Sequence, residues 1–561
     1  MLTRSFLAPE ENAKLLAYTP MFHARLFEET AKYRDAHFQA TKEPIEPIEP
    51  NVTDPAARSL YLDGNPKFDR PLLVQFCAND PEHLLRAAQL AAPYCDAVDL
   101  NLGCPQGIAR KGHYGAFLQE DQELIFKLIN TLHKNLPIPV TAKIRILDSK
   151  EETLAYAKNV LGAGASILTV HGRRREQKGH LTGVADWGYI RYLRENLPKD
   201  TVIFANGNIL QHGDIERCLE ATGADAVMSA EGNLSDPAIF AKPPPVGQES
   251  REYWQGRDGK GGYRLDAIFR RYMDILHKYV LEQEPPQRRP LFVVGDDETW
   301  LHDTGSRDGD HEEGPVRKKV KHDGGAKRST SPNISAIRPH LFHLLRHFIS
   351  KHTDIRDILA KTNPSDVAGI EKVLDLVERR IARGLIDYER TDGKSMEEGE
   401  SVSKLKKGQT AEIANGDEVK IESKTEPEGD AKEGEVDPEF DPESSVATVK
   451  ACKRPWWIAQ PIIRPLPKEA LAKGSIKMSK KEKKKQEQAQ AQTQVQAAAV
   501  PPTTATSTTT TTEVETKEKG ANGQTEQLEN QLPKSDKKNG VQEPPLNPTA
   551  PGLTTDQLVC G

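Results

Sequence analysis

The 561-residue sequence predicts a parallel α/β fold, followed by a smaller helical region and a long low-complexity tail. Three observations carry this. Up to about residue 245, short β-rich runs alternate with amphipathic segments, the rhythm of βαβ units on a parallel sheet. Polar or reactive residues stand at or just past the C-terminal ends of most runs. Beyond residue 390 apolar periodicity almost vanishes.

The strands are predicted, in order, over Ala17–Met21, Leu72–Ala78, Ala97–Gly103, Val140–Ile146, Ile167–Gly172, Val202–Asn208 and Ala226–Gly232. Amphipathic helices are predicted between most of them, over Pro81–Ala92, Glu120–Leu132, Glu151–Leu161 and Gly213–Thr222. The strand ends carry Gln75, Asn101 with Cys104, Lys143 with Arg145, His171, Asn206 with Asn208, and Glu231. Any one of these reads equally well as a satisfied polar residue at a strand end. Six in succession read as the rim of a TIM-type (β/α)8 barrel, where catalytic groups belong. Seven strands are visible, one short of closure.

A catalytic barrel domain is therefore expected over 1–250, and a helical domain over 263–390. In the latter, Leu265, Ile268, Phe269, Tyr272, Ile275, Leu276 and Tyr279 recur at helical spacing, and Pro339–Ser350 and Val367–Arg383 repeat the pattern. An insertion at about 285–332, rich in Asp, Gly and Lys, is expected to be disordered. Its basic runs, Arg317–Lys321 and Lys327-Arg328, fit a nuclear import signal, an RNA-contacting patch or a solvated stretch without a role. Residues 391–561 read as disordered tail, with one island, Lys453-Arg454-Pro455-Trp456-Trp457-Ile458 to Pro467, whose paired tryptophans could dock on the folded part or on a partner.

A net charge of −6 excludes little, because acidic and basic residues are segregated into blocks. No apolar run reaches the roughly 18 residues of a membrane helix, so no membrane is expected. The six cysteines are scattered without a Cys-x-x-Cys pair, which argues against a disulfide framework or a zinc site and for a reducing compartment. Cys104 differs from the rest. A buried strand delivers it to Gly103-Cys104-Pro105, and a loop with Gly107, Gly112 and Gly115 follows. A thiol there can transfer a proton, attack an electrophile or only fill space.

Together, Tyr18-Thr-Pro-Met21, Gln75-Phe76, Leu100-Asn-Leu-Gly-Cys-Pro105, Thr141-Ala-Lys-Ile-Arg145, Thr169-Val-His-Gly-Arg173, Ala205-Asn-Gly-Asn208 and Ser229-Ala-Glu-Gly232 resemble the tRNA-dihydrouridine synthase family. The form Cys104-Pro-Gln-Gly-Ile-Ala109, with Lys111-Gly-His-Tyr-Gly115, is similar to the eukaryotic branch acting on the sixteenth and seventeenth positions of the tRNA D-loop. The Pro455-Trp456-Trp457 island is also similar to a segment of that branch.

The resemblance implies an FMN-dependent enzyme that reduces uridine in tRNA, with NADPH as reductant. Cys104 matches the proton donor, and a thiol of ordinary pKa, about 8.5, is a suitable acid at neutral pH. Asn101 would hold the uracil or the loop. Lys143, Gln75 and His171 match positions that contact the flavin, Lys143 by opposing negative charge on the reduced ring. The backbone of Asn206-Gly207-Asn208 and of Glu231-Gly232 would cradle the phosphate, although relatives often carry an arginine in the second turn. Arg145 and Arg173 are candidates for the target nucleotide. Arg270, Arg271, Lys278, Arg338, Arg346, Arg379 and Arg380 form a candidate RNA-facing surface.

The resemblance also implies a first strand ending in Ala-Pro-Met, a helix's length before Tyr18. Leu7-Ala8-Pro9 stands too close to be that strand, since a crossover needs roughly ten residues or more. The expectation is a barrel lacking its first strand, with Met1–Asn12 as the only local material to cover the gap. Two functions follow: a flavin-dependent tRNA-uridine reductase, or an RNA-binding relative that has lost FMN and catalysis. No metal is expected, and the nucleus or the cytoplasm, or both, as location.

Overall fold

The computed structural model describes residues 1–42, 45, 60–302, 331–396 and 445–472. The basic runs at 317–321 and 327–328 and the tail beyond 472 lie outside the described residues.

The N-terminal part repeats one unit. An apolar-rich strand ends at a polar or turn residue, and the helix that follows packs its apolar stripe back onto the sheet. β1 (Ala17–Tyr18) and β2 (Phe22–His23) occupy one place in the sheet, interrupted by Thr19-Pro20-Met21. After α1 (Ala24–Glu29) and α2 (Ala31–His37) come β3 (Leu72–Cys77), α3 (Pro81–Ala91), β4 (Ala97–Leu102), α4 (Gly107–Lys111) and α5 (Gln122–Asn135). Next are β5 (Val140–Arg145), α6 (Lys150–Gly162), β6 (Ile167–His171), α7 (Trp187–Asn196), β7 (Val202–Asn206), α8 (Gly213–Thr222) and β8 (Ala226–Met228). Asp80, Asp121 and Asp186 cap α3, α5 and α7, and Ser149 with Glu152 makes a reciprocal capping box on α6.

Every ladder of this sheet is parallel, in the order β1-β3-β4-β5-β6-β7-β8, with β2 also on β3. The core lies between the sheet and its helices: Val74, Phe76, Val98 and Leu100 meet Leu84 and Ala88 of α3 and Ile125 and Leu128 of α5. Phe22, Phe27, Phe38 and Phe76 form an aromatic cluster at the β2 edge.

The sheet is curled but open. Among the described residues no ladder joins β8 to β1 or β2. Met1–Asn12 spans the seam instead. Thr3 Oγ1 donates to Asn233 Oδ1 at 3.0 Å, on the β8 side. The buried Arg4 guanidinium donates to the carbonyls of Leu15 (3.0 Å) and Pro71 (2.7 Å), just before β1 and β3. One arginine thus ties the chain entering β1 to the chain entering β3, adding to the Ala17 N hydrogen bond that Pro71 O already accepts.

The helical part begins after α9 (Glu231–Ser235) with α10 (Leu265–Ile275), continues through α11 (Pro332–Leu344), α12 (Arg346–Lys351) and α13 (Thr353–Lys361), and ends in the long α14 (Val367–Arg390). Ile370, Val373, Leu374, Val377, Ile381 and Leu385 of α14 bury one stripe against Ile268, Phe269, Ile337 and Leu341.

Two stretches expected to be disordered are packed. Residues 285–302 bury Leu291, Phe292 and Leu301. Arg288 pairs with Glu371 at 2.8 Å, Arg289 pairs with Asp375 and Glu378, and Trp300 lies between Arg289 and Arg379. Polar composition concealed this because the order rests on charges matched to α14 rather than on periodic apolar residues. The second stretch is 445–472, with α15 (Val446–Cys452) and α16 (Pro467–Ala472). Trp457 is 1 % exposed and Ile458 fully buried. Leu265 N donates to Trp457 O (2.9 Å) and Ala459 N to Tyr263 O (3.0 Å), so the segment pairs with the chain entering α10. The tryptophan island is part of the helical core.

Candidate active site

Strand register fixes which side chains face inward. Gln75, Asp99 and Thr141 are neighbours across β3, β4 and β5. Two residues on, Asn101, Lys143 and Thr169 form the next row, and Arg145, His171 and Asn206 the row above it. Since side chains alternate along a strand, all three rows point to the same face. The face opposite the helices therefore carries amides, hydroxyls, two cations, an imidazole and a carboxyl, all of them buried.

Asn101 organises the thiol loop. Its Oδ1 accepts from Gly103 N (3.0 Å) and Cys104 N (2.9 Å), while its Nδ2 donates to Gln75 Oε1 (2.8 Å). Arg145 Nε holds Gly103 O at 2.7 Å, and Lys178 Nζ holds Pro105 O at 2.6 Å. Gly115 returns the loop against the thiol at φ +65°, and a Cβ there would lie 2.9 Å from Cys104 Cβ, so only glycine fits. Cys104 itself is 1 % exposed and packs with Cys77, Ala109 and Tyr114.

His171 accepts at Nε2 from Arg173 Nη1 (3.0 Å), because a guanidinium can only donate. The ring hydrogen is then on Nδ1, which is buried and has no partner among the described residues. Burial, with the nearby Arg145, Lys143 and Arg173, pushes the His171 pKa well below its ordinary value, so the ring is neutral. Asn206 Nδ2 donates to Met228 O (3.0 Å), and its Oδ1 is buried with no partner among the described residues. Buried polar atoms of this kind mark where a polar ligand completes the structure. Beside them the chain turns through Gly207 and Asn208, the latter at φ +64°, and α9 opens at Glu231-Gly232.

The sequence-predicted residues thus come together, with differences of role. Arg145 and Arg173, assigned to the target nucleotide, spend their guanidiniums on the protein. Arg145 also reaches Arg174 O (3.1 Å), and Arg173 holds Gly183 O (3.0 Å) and Asn208 Oδ1 (2.9 Å). Glu231 is paired with Arg464, Nη2 to Oε1 2.5 Å, so the C-terminal segment reaches the cradle. Most cations of the expected RNA-facing surface are engaged within the helical part: Arg270 with Glu378, Arg271 with Glu252, Arg379 with Asp375 and Arg380 with Asp354.

Sequence reasoning missed Asp99, Thr141 and Thr169. Asp99 is fully buried, and burial lifts its carboxyl to about 6 against the pull of Thr141, Gln75 and Lys143. The signal was present: Asp99-x-Asn101, Thr141-x-Lys143-x-Arg145 and Thr169-x-His171 put polar residues on alternate positions of otherwise apolar strands.

The dihydrouridine synthase (Dus) family model matches residues 2–258. The NAD(P)(+) tRNA-dihydrouridine(16/17) synthase of Schizosaccharomyces pombe is 43 % identical over 367 residues, 65 % of this chain and 72 % of that one. The chain belongs to the dihydrouridine synthase family. The corresponding (16/17) enzyme of Saccharomyces cerevisiae is 47 % identical over 348 residues, and the mouse (16/17) synthase-like protein 48 % over 239. The match spans 63 % of the length of the budding-yeast relative and 45 % of the mouse one. Family membership accounts for the TIM-type barrel and for the seven parallel strand places observed here.

Proposed function

We propose that this protein is an FMN-dependent tRNA-dihydrouridine synthase that reduces uridine at D-loop positions sixteen and seventeen, with NADPH as the reductant. The observation that carries the reading is the constellation itself. A thiol is fixed at a strand end, and buried groups on His171 and Asn206 with no partner among the described residues lie one strand and two strands beyond Arg145. The relatives' names supply the reaction class.

The residues present fit FMN. Its ring system offers acceptors and donors to His171 Nδ1–H, Gln75 and Lys143, and the backbone turns at Asn206-Gly207-Asn208 and Glu231-Gly232 would receive its phosphate. Bound FMN would supply hydride chemistry between NADPH and C6 of the uracil. The chain supplies the rest. Cys104 gives its proton to C5 and becomes a thiolate, which recovers a proton from water, so that uridine, NADPH and one proton yield dihydrouridine and NADP⁺. Asn101 keeps Cys104 in place by holding its N–H. A D-loop uridine would have to leave its stack to reach so recessed a thiol.

The test is to purify the chain, identify any released flavin, and incubate the protein with NADPH and tRNA lacking dihydrouridine. Dihydrouridine at positions sixteen or seventeen is expected. Retention of tRNA without flavin binding would favour a catalytically silent RNA-binding relative.

A further inference from the structure

Building on the reading of Cys104 as proton donor, we propose that Asp99 is a positioning residue that sets the polarity of the amide chain holding the Cys104 loop. Three side chains connect them. Asp99 Oδ2 accepts from Gln75 Nε2 at 2.8 Å, Gln75 Oε1 accepts from Asn101 Nδ2 at 2.8 Å, and Asn101 Oδ1 accepts from the N–H groups of Gly103 and Cys104. Thr141 Oγ1 fixes the other carboxylate oxygen at 2.6 Å.

The argument lies in what each group can do. A carboxamide has an oxygen end and a nitrogen end of nearly the same shape, so packing alone does not choose between them. An ionised carboxylate only accepts. Facing Asp99, Gln75 must present Nε2, which turns Oε1 toward Asn101. Asn101 must then present Nδ2 to Gln75, which turns Oδ1 toward the thiol loop. Reversing the chain would set Asn101 Nδ2 against two N–H donors and leave both buried without acceptors. The choice is made at Asp99 and read out at Cys104, two amides away. Gln75, Asp99, Asn101 and Cys104 are all buried, so water is poorly placed to substitute for a missing partner.

The test measures alkylation of individual cysteines in the full-length protein as purified, by iodoacetamide and peptide mass mapping. Cys218, buried in α8, serves as internal reference. In Asp99→Leu, Cys104 should react about tenfold faster or more as the loop loses its anchor, with Cys218 unchanged. Asp99→Asn, whose carboxamide can present either end to Gln75, should lie between the parent and Asp99→Leu, and a rate equal to the parent's would overturn the polarity argument. Gln75→Leu should resemble Asp99→Leu, and the double variant should react no faster than Gln75→Leu alone, because both cuts sever one chain. An unchanged Cys104 in Asp99→Leu, a parallel rise at Cys218, or additive effects in the double variant would overturn the proposal. If Asp99→Leu does not fold, the double variant, with both partners apolar, is compared with Gln75→Leu: equal rates support the proposal and a faster double variant refutes it. Alkylation needs neither turnover nor tRNA, so failure of the reductase reading would show separately, as absent dihydrouridine with this pattern intact.

Discussion

Cys104 is recessed, and its backbone is held at several points, by Asn101 on its N–H, Arg145 on the preceding carbonyl and Ala116 N on its own carbonyl. Cys104→Ala removes the thiol and leaves these backbone hydrogen bonds in place. It should abolish dihydrouridine formation while flavin stays bound, and full activity in that variant would remove Cys104 from the chemistry. Arg145→Lys makes the opposite cut. A lysine lacks the guanidinium's fixed fork for Gly103 O and Arg174 O, and the buried Gly103 carbonyl left without its donor should cost roughly 1–3 kcal/mol in denaturant unfolding. The thiol, Asn101, Lys143 and His171 were legible because they end strands. Asp99 and Thr141 were not, because they stand deeper along theirs, and only the alternation of polar positions discloses them.

Among elements, α14 and the tryptophan island show why one helix was readable and its partner was not. The periodicity of Val367–Arg390 marks a helix with a single apolar stripe. Gly384 within it reads as a weak point, since glycine in a helix interior costs about 1 kcal/mol against alanine. Its reason lies some seventy residues further along the chain, roughly four times the length of an average helix-plus-loop unit. A Cβ at Gly384 would lie 2.6 Å from the Trp456 ring, so glycine admits the docked indole. Trp456 also packs on His352, ring centroids 4.5 Å apart. Burial, with Arg380 and Lys351 adding to it, lowers the His352 pKa to about 4. The unfolded chain takes up this proton near pH 6.5 and the folded chain only near 4, so the stability tied to neutral His352 is present above 6.5 and lost as pH falls toward 4. His352→Phe keeps an aromatic ring and removes the titration. Its melting temperature should therefore fall less than the parent's between pH 7.5 and pH 5, and identical falls would assign the acid sensitivity elsewhere.

For the molecule as a whole, segments before and after the barrel strands complete what those strands leave open. Met1–Asn12 ties the two sheet edges through Thr3 and Arg4, and Phe6 lies edge-on against Tyr263 with the Arg271 guanidinium over it. Residues 445–472 then join the helical core to the rim: Trp457 lies edge-on to both Trp254 and Tyr388, Arg454 donates to Gly261 O, and Arg464 reaches Glu231 beside the cradle. The sequence reads residues 391–561 as low-complexity tail with one tryptophan island. Its composition hid a docked segment shorter than thirty residues between stretches of low complexity. Two truncations separate the parts. A chain ending after residue 472 should keep the flavin and the melting temperature of the full protein. One ending after residue 444 exposes the apolar surface that Trp456, Trp457 and Ile458 cover and deprives Leu265 N of its acceptor. It should unfold at markedly lower temperature and retain flavin poorly. Trp457→Ala isolates the largest share, since truncating a fully buried tryptophan costs about 3–5 kcal/mol. If the shorter chain matches the longer one in both stability and flavin content, the segment rests on the surface without supporting it. If stability drops and flavin stays, the link from Arg464 to the cradle carries no weight, and the segment serves the helical core alone.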